Sequence, residues 1–330
     1  MELHEISAAR VEEAAKEHDL PLPVEQTEDW CEYESTITDR TYWGSVAFEQ
    51  DGRPVAVASF MDYETHGYHY LRGHHAPVWL VPPTADREEE LARALVAYVK
   101  RRDPKVAFIR MAVEHEIPSS RPVLSTSPYN QTVVIDLDHG DADEILSKFK
   151  TRGRRDVRKS LRESNETVAD ETTQALEDFA PYYAVMEETC ARDGFTPSPA
   201  KDYVDMLKIL GPDRARLTAG RIDGELACWA LNVIEGTRAT RYYGASRMLE
   251  GVKNFVDAEV FETCLILAGL GCTTYDLMGI GNDFSPNLKG LNMFKTKFSK
   301  DVVDVAPDRD IPVKGLFYKA LKGAKRIKDR

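Results

Sequence analysis

The hydrophobic and polar positions of this chain follow one pattern twice. Residues 45–73 and 217–244 each alternate apolar and polar positions along a strand, turn at Asp51-Gly52 or Asp223-Gly224, and alternate again along a second strand. A polar break and a third strand follow in both, ending on Gly73 and Gly244. Next comes a helix-like run, 87–100 in the first copy and 255–270 in the second, and then an apolar strand, 106–111 and 274–277. A period of about 170 residues is far too long for a solenoid. The pattern predicts two copies of one β-hairpin/α/β module.

The intervening segments read as connectors and supports. Residues 1–20 are predicted helical, stopped by Pro21 and Pro23, and 132–137 as a strand. Asp141 and Asp143 can cap a helix running toward Lys150, and Gly153 predicts a bend that divides the basic stretch into two helices. Leu176, Phe179, Tyr183, Met186 and Cys190 have the spacing of one helix over 176–193. Residues 302–305 return as a strand before a basic terminal helix. The expected domains are 1–150, completed by 305–330, and 151–304.

Composition narrows the class. A chain of 330 residues with 42% apolar and 30% charged residues can build two ordinary globular cores. No apolar run approaches the ~20 residues that cross a bilayer. Five cysteines without a CxxC pair read as reduced and mostly buried, so a cytoplasmic protein is expected. The net charge of −12 conceals two basic segments: residues 148–162 carry +7 and 314–330 carry +6, leaving about −25 elsewhere. Such concentration in an acidic chain points to a polyanionic partner, against the alternative of solvated helix faces that bind nothing.

Candidate chemistry is sparse. His66, His69, His74 and His75 complete no metal-ligand spacing, so no metal is expected. There is no G-x-S-x-G elbow and no Walker-type loop. Residues 241–246, RYYGAS, approach the loop by which acyl-CoA N-acyltransferases hold pyrophosphate, but Ser246 stands where glycine or alanine belongs and Arg247-Met248-Leu249-Glu250 is bulky. In GLNMFKTKF, residues 290–298, two readings stay open. Either Lys295 sits desolvated between Phe294 and Phe298, able to stabilise an oxyanion, or the rings are buried and Lys295 is exposed.

Taken together, these strings resemble the FemABX aminoacyltransferases, in the compact FemX-like form without a coiled-coil arm. The matching pieces run in family order: Gln26-Thr27-Glu28-Asp29-Trp30, Tyr70-Leu71-Arg72-Gly73, the basic run 150–159, residues 188–195 (ETCARDGF), 242–246 (YYGAS), 275–280 (YDLMGI) and 290–298. The resemblance implies an α/β chain of the α+β kind: two tandem GNAT-like domains, each a mixed, mostly antiparallel sheet flanked by helices. It implies transfer of an amino acid from aminoacyl-tRNA to the stem peptide of a peptidoglycan precursor, nucleotide- or lipid-linked, without a cofactor. By motif position Lys295 would be the catalytic lysine, and Arg72, Arg192, Tyr243 and Phe294 would bind the precursor. Arg152, Arg154, Arg155 and Arg158 would contact tRNA, and the basic terminal helix could touch the inner face of a membrane. A monomer is expected. Glu34 stands where the family often has lysine, and Ala112 where it often has an acid. An acyl-CoA-dependent N-acyltransferase and a non-catalytic RNA- or lipid-binding module are the alternatives.

Overall fold

The structure is a computed structural model that describes residues 1–124, 128–137, 140–251 and 254–328, so residues 329–330 of the basic tail lie outside it. The chain opens with β1 (Glu2–Ile6), α1 (Ala8–Glu17), α2 (Glu28–Ser35), β2 (Arg40–Gln50), β3 (Arg53–Thr65), β4 (Tyr68–Gly73) and β5 (Val78–Trp79). It continues through α3 (Ala85–Arg102), β6 (Val106–Ala112), β7 (Gln131–Asp136), α4 (Ala142–Lys148), α5 (Thr151–Glu163) and β8 (Glu166–Asp170). Then come α6 (Thr172–Glu177), α7 (Ala180–Asp193), α8 (Ala200–Arg214), β9 (Ala215–Ile222), β10 (Glu225–Glu235) and β11 (Arg238–Ser246). The chain closes with α9 (Phe255–Gly269), β12 (Thr274–Gly279), α10 (Lys289–Lys295), β13 (Val302–Asp304), β14 (Asp308–Pro312) and α11 (Gly315–Lys328).

Two compact units result, residues 1–130 with 305–330, and residues 131–304. The division falls after Asn130, not at residue 150, because β7 pairs with β12 and β13 of the second sheet. The two sheets repeat one topology. In the first the order is β1-β2-β3-β4-β6-β14, with β5 on the side of β3. In the second it is β8-β9-β10-β11-β12-β7-β13, read from the opposite edge. Each has three strands in an antiparallel meander, and then one parallel pair, β4 with β6 or β11 with β12, bridged by a helix. Both hairpins turn on an Asp-Gly pair with positive φ at both residues, 53° and 72° at Asp51-Gly52 and 52° and 85° at Asp223-Gly224. That is the turn whose twist matches the strands. The duplicated α+β fold read from the sequence is thus present.

Local differences have physical reasons. Residues 2–6 are not helical; they pair along β2 as an edge strand, and Ser7 then caps α1. The 176–193 helix is two, α6 and α7, joined at Asp178 and Phe179; Phe179 turns into an aromatic cluster with Tyr182, Tyr203 and Trp229. Gly153 does not bend the basic stretch. The break lies at Phe149 and Lys150, while Gly153 is buried within α5. A methyl group there would run into the Lys297 carbonyl, so Gly153 is needed for space rather than for backbone freedom.

The terminal segment is tied to the first unit by buried charge. Arg110 on β6 is 1% exposed and Asp310 on β14 is 0% exposed. Their two contacts measure 2.7 and 3.1 Å, and the Tyr318 hydroxyl donates to the same carboxylate at 3.0 Å. Removing one partner of such a pair strands the other charge in the core, typically at about 3–5 kcal/mol. Asp310→Ala is therefore expected to lower unfolding free energy in urea by about that amount. A loss below ~1 kcal/mol would contradict this role for the pair.

Candidate functional site

The second unit's site grows from α9. Its sequence, FVDAEVFETCLILAG, is buried along most of its length, yet it carries Asp257 at 2% and Glu259 at 0% exposure. Carboxylates taken from water need cations and hydrogen bonds. Glu259 takes the Arg241 guanidinium through contacts of 2.7 and 3.0 Å and accepts from the Thr263 hydroxyl at 2.9 Å. Arg241 also donates to Tyr275 at 3.2 Å, and Tyr275 donates to Asn232 at 2.6 Å. Asp257 takes the Lys297 ammonium at 2.5 Å, and Asp156 of α5 stands 3.8 Å from the same ammonium. Burial pushes the Asp257 carboxyl up, and Lys297 opposes that shift.

A cleft of about 430 Å³ opens over these pairs. Its walls are the end of α7 with Arg192, the end of β11 at Gly244–Ser246, the start of α9, and Phe294 with Lys297. Arg192 donates to the Ser246 carbonyl at 2.8 Å and grips Asp193, while Thr189 and Ser246 exchange hydrogen bonds at 2.9 and 3.1 Å. Three cations, Arg192, Arg241 and Lys297, line this concavity, each already paired with a carboxylate, Asp193, Glu259 and Asp257 respectively. Such a surface is strongly charged but balanced, and suits a polar ligand.

The expected residues divide as follows. Arg192 and Phe294 line this cleft, whereas Tyr243 packs edge-on against Tyr203 at 4.9 Å and is not among the lining residues. Lys295 ends α10 and donates to the Gly279 carbonyl at 2.9 Å. Burial lowers its ammonium from the usual 10.5 to about 8; Asp276 opposes the shift and Arg241 adds to it. Neither reading of the Phe-Lys-x-Lys-Phe string holds as stated. Phe294 and Phe298 pack edge-to-face at 5.2 Å, and the ammonium over both rings is that of Lys297, at 5.3 and 5.2 Å. After Lys295 the helix ends at Thr296, and the next residue turns inward toward Asp257.

On α5, Arg152, Arg155 and Arg158 are exposed while Gly153, Asp156, Val157 and Ser160 are buried; Arg152 and Arg155 both reach the Asp156 carboxylate, at 3.5 and 3.0 Å. Arg154 turns back onto the end of α4, donating to the Phe149 carbonyl at 2.5 Å and the Ser147 carbonyl at 3.3 Å. The residues that sequence reasoning passed over are Asp257, Glu259 and Lys297. The legible signal was three acids, Asp257, Glu259 and Glu262, inside an otherwise largely apolar helix.

In the first unit, Arg72 is paired with Asp308 at 3.3 Å. Register sets Asp308 opposite Ala112, so a carboxylate still stands at this end of β6, supplied by the neighbouring strand. Glu34 is 3% exposed and accepts from the Tyr63 hydroxyl at 2.6 Å and from Arg40 at 2.9 Å. Glu25, His74 and His75 converge, with one donor atom from each inside 4.8 Å. A cleft of about 660 Å³ between α1, α2 and β2 contains none of the expected residues.

Comparison with known proteins adds the following. The FemAB family pattern matches residues 230–326, a stretch that takes in the cleft's β11, α9 and α10 walls. The structure of FemX is similar over 98% of this chain and 100% of that one, with a TM-score of 0.74 and 18% identity. L-PGS from Bacillus licheniformis matches over 99% and 98%, with a TM-score of 0.57 and 12% identity. A tandem GNAT protein from the clavulanic acid biosynthesis pathway matches over 94% and 98%, with a TM-score of 0.57 and 11% identity. No curated protein matches the sequence. The mixed sheets flanked by helices are therefore of the tandem GNAT kind.

The Lys297–Asp257 pair gives a direct test of how the cleft is held. Lys297→Met strands Asp257 in the core and is expected to cost about 3–5 kcal/mol in urea unfolding, with Asp257→Asn in the same chain restoring part of it. Equal stability of wild type and Lys297→Met would show that the pair does not organise this site.

Proposed function

We propose that the chain is a member of the FemABX family, an aminoacyltransferase that moves an amino acid from aminoacyl-tRNA to an amine on the stem peptide of a peptidoglycan precursor. The observation that carries this reading is the FemAB pattern over residues 230–326, which includes Lys295 and most of the cleft's lining. In the reaction the acceptor amine attacks the ester carbonyl carbon and forms a tetrahedral oxyanion. The bond to the ribose oxygen then breaks as the amide forms, and the proton lost by the amine passes to the departing hydroxyl. Direct transfer fits the side chains present. All five thiols are buried, and burial raises each one, Cys31 to about 12, so none resembles an activated nucleophile.

Lys295 is the group we assign to the oxyanion. Its ammonium is partly desolvated, which strengthens its interaction with developing charge. Arg192 and Phe294 of the cleft would hold the precursor; Tyr243 and, in the first unit, Arg72 are precursor contacts proposed from motif position alone. The exposed arginines 152, 155 and 158 of α5 would meet tRNA phosphates, with Arg154 supporting the helix through the Phe149 carbonyl. A lipid-linked acceptor would bring the protein, as a cytoplasmic monomer, to the inner membrane face. There α11 presents exposed Leu316 and Phe317 beside lysines 314, 319 and 322. The acyl-CoA alternative is the weaker one, because β11 runs on to Ser246 and Arg247 then pairs with Glu188 at 3.4 Å where a small-residue loop is required.

Lys295→Met is expected to reduce turnover by about 100- to 1,000-fold with the fold intact, while Lys289→Met, on the exposed side of the same helix, leaves turnover near wild type. The active form is the ammonium, and its value near 8 lies below the ordinary 10.5. Turnover should therefore fall as pH rises through about 8, and in Lys295→Arg, which stays charged, residual turnover should lose that falling limb. Retention of more than about a tenth of wild-type turnover by Lys295→Met would remove Lys295 from this role.

Binding of tRNA should weaken steeply with salt. Replacing Arg152, Arg155 and Arg158 by alanine should flatten the log–log slope by roughly 0.7–0.9 per lost phosphate contact. An unchanged slope would assign those arginines to a solvated helix face.

A further inference from the structure

We propose that Glu25, His74 and His75 form a binding site for a divalent cation of the zinc class in the first unit. One carboxylate oxygen and two imidazole nitrogens, with their donor atoms within 4.8 Å of one another, make a donor set suited to zinc, cobalt or nickel. Three protein ligands leave a further position for water or a ligand atom. An ion there would draw the donors inward to the roughly 2.0–2.2 Å that such metals require.

The surroundings point the same way. The Glu25 side chain is 6% exposed, with the His75 ring 3.7 Å from its carboxylate and a His74 ring nitrogen within 4.8 Å. A carboxylate removed from water normally collects amide or guanidinium donors; among the described residues none donates to the Glu25 side chain. The two segments that carry the ligands are already locked together by the residue next to Glu25. Gln26, fully buried, donates to the His74 carbonyl at 2.7 Å and accepts from the Ser59 amide at 2.8 Å. His75 adopts a left-handed backbone, φ 51°, which is uncommon for a residue with a side chain and which sets its ring beside Glu25. Arg72 and Arg40 are among the arginines whose charge reaches His74. Each arginine carries its own carboxylate, Asp308 at 3.3 Å and Glu34 at 2.9 Å, so their opposition to a cation is largely offset. The site stands on different residues from those assigned to aminoacyl transfer and does not depend on that reading.

The test uses untagged full-length protein, stripped with chelator and titrated with zinc chloride by calorimetry, with cobalt absorption as a second readout. One equivalent of zinc, a low-symmetry cobalt spectrum and a higher Tm with zinc are expected. Glu25→Gln and His74→Ala should each weaken binding by about 100-fold or more and abolish the Tm rise. Gln26→Ala should weaken it by roughly 10- to 100-fold, as for residues that orient metal ligands. His66→Ala, in the exposed turn after β3, should change nothing. Glu25→Gln is nearly isosteric, so it reports on the metal even where His74→Ala disturbs folding. Absence of stoichiometric uptake at micromolar zinc, or undiminished binding in Glu25→Gln, would overturn the proposal.

Discussion

Two carboxylates buried on one apolar helix determine the architecture of the second unit. Asp257 and Glu259 lie within the first turns of α9, among side chains that would otherwise form a plain hydrophobic helix. Each draws in a cation from elsewhere in the unit, Lys297 from the segment after α10 and Arg241 from β11. Those two pairs hold the strand end and the α10 segment against the start of α9, and the cleft is the space left between them. A buried pair is a poor source of net stability but a strong source of specificity, since either charge left alone is costly. Gly153 completes the arrangement, because only a residue without a side chain lets α5 approach the Lys297 backbone.

The first unit shares the topology and places its charges differently. Arg110 and Asp310 lock the terminal strand into the sheet, and Glu34 holds Arg40 and Tyr63. These are internal contacts. Glu34 is consumed inside the fold, and Asp308 places a carboxylate on the strand beside Ala112. A duplicated fold has thus kept its sheets while redistributing its polar chemistry, which is how one architecture hosts different sites.

How much of this was legible depends on the range of the interaction. The twin modules could be read because strand alternation and the Asp-Gly turns are local signals. Residues 1–6 were misread as helix because an edge strand is fixed by its partner, β2, and not by its own propensity. The order of the Phe-Lys-x-Lys-Phe string did not reveal which lysine faces the rings, since that depends on where α10 ends and on Asp257. Arg154 looked equivalent to its neighbours until the carbonyls at the end of α4 came within reach. Glu25 and the two histidines lie far apart in sequence, and only the packing of Gln26 against Ser59 and His74 brings them together.

Direct transfer from an ester donor to an amine is the step on which the proposed function rests. The most direct measurement supplies purified protein with a mixture of charged tRNAs and a peptidoglycan precursor and weighs the products by mass spectrometry. The expected product is a precursor heavier by one aminoacyl residue, formed in equal amount with uncharged tRNA and unaffected by added acyl-CoA. A precursor left unmodified with charged tRNA, or one modified only when acyl-CoA is present, would contradict the proposed function.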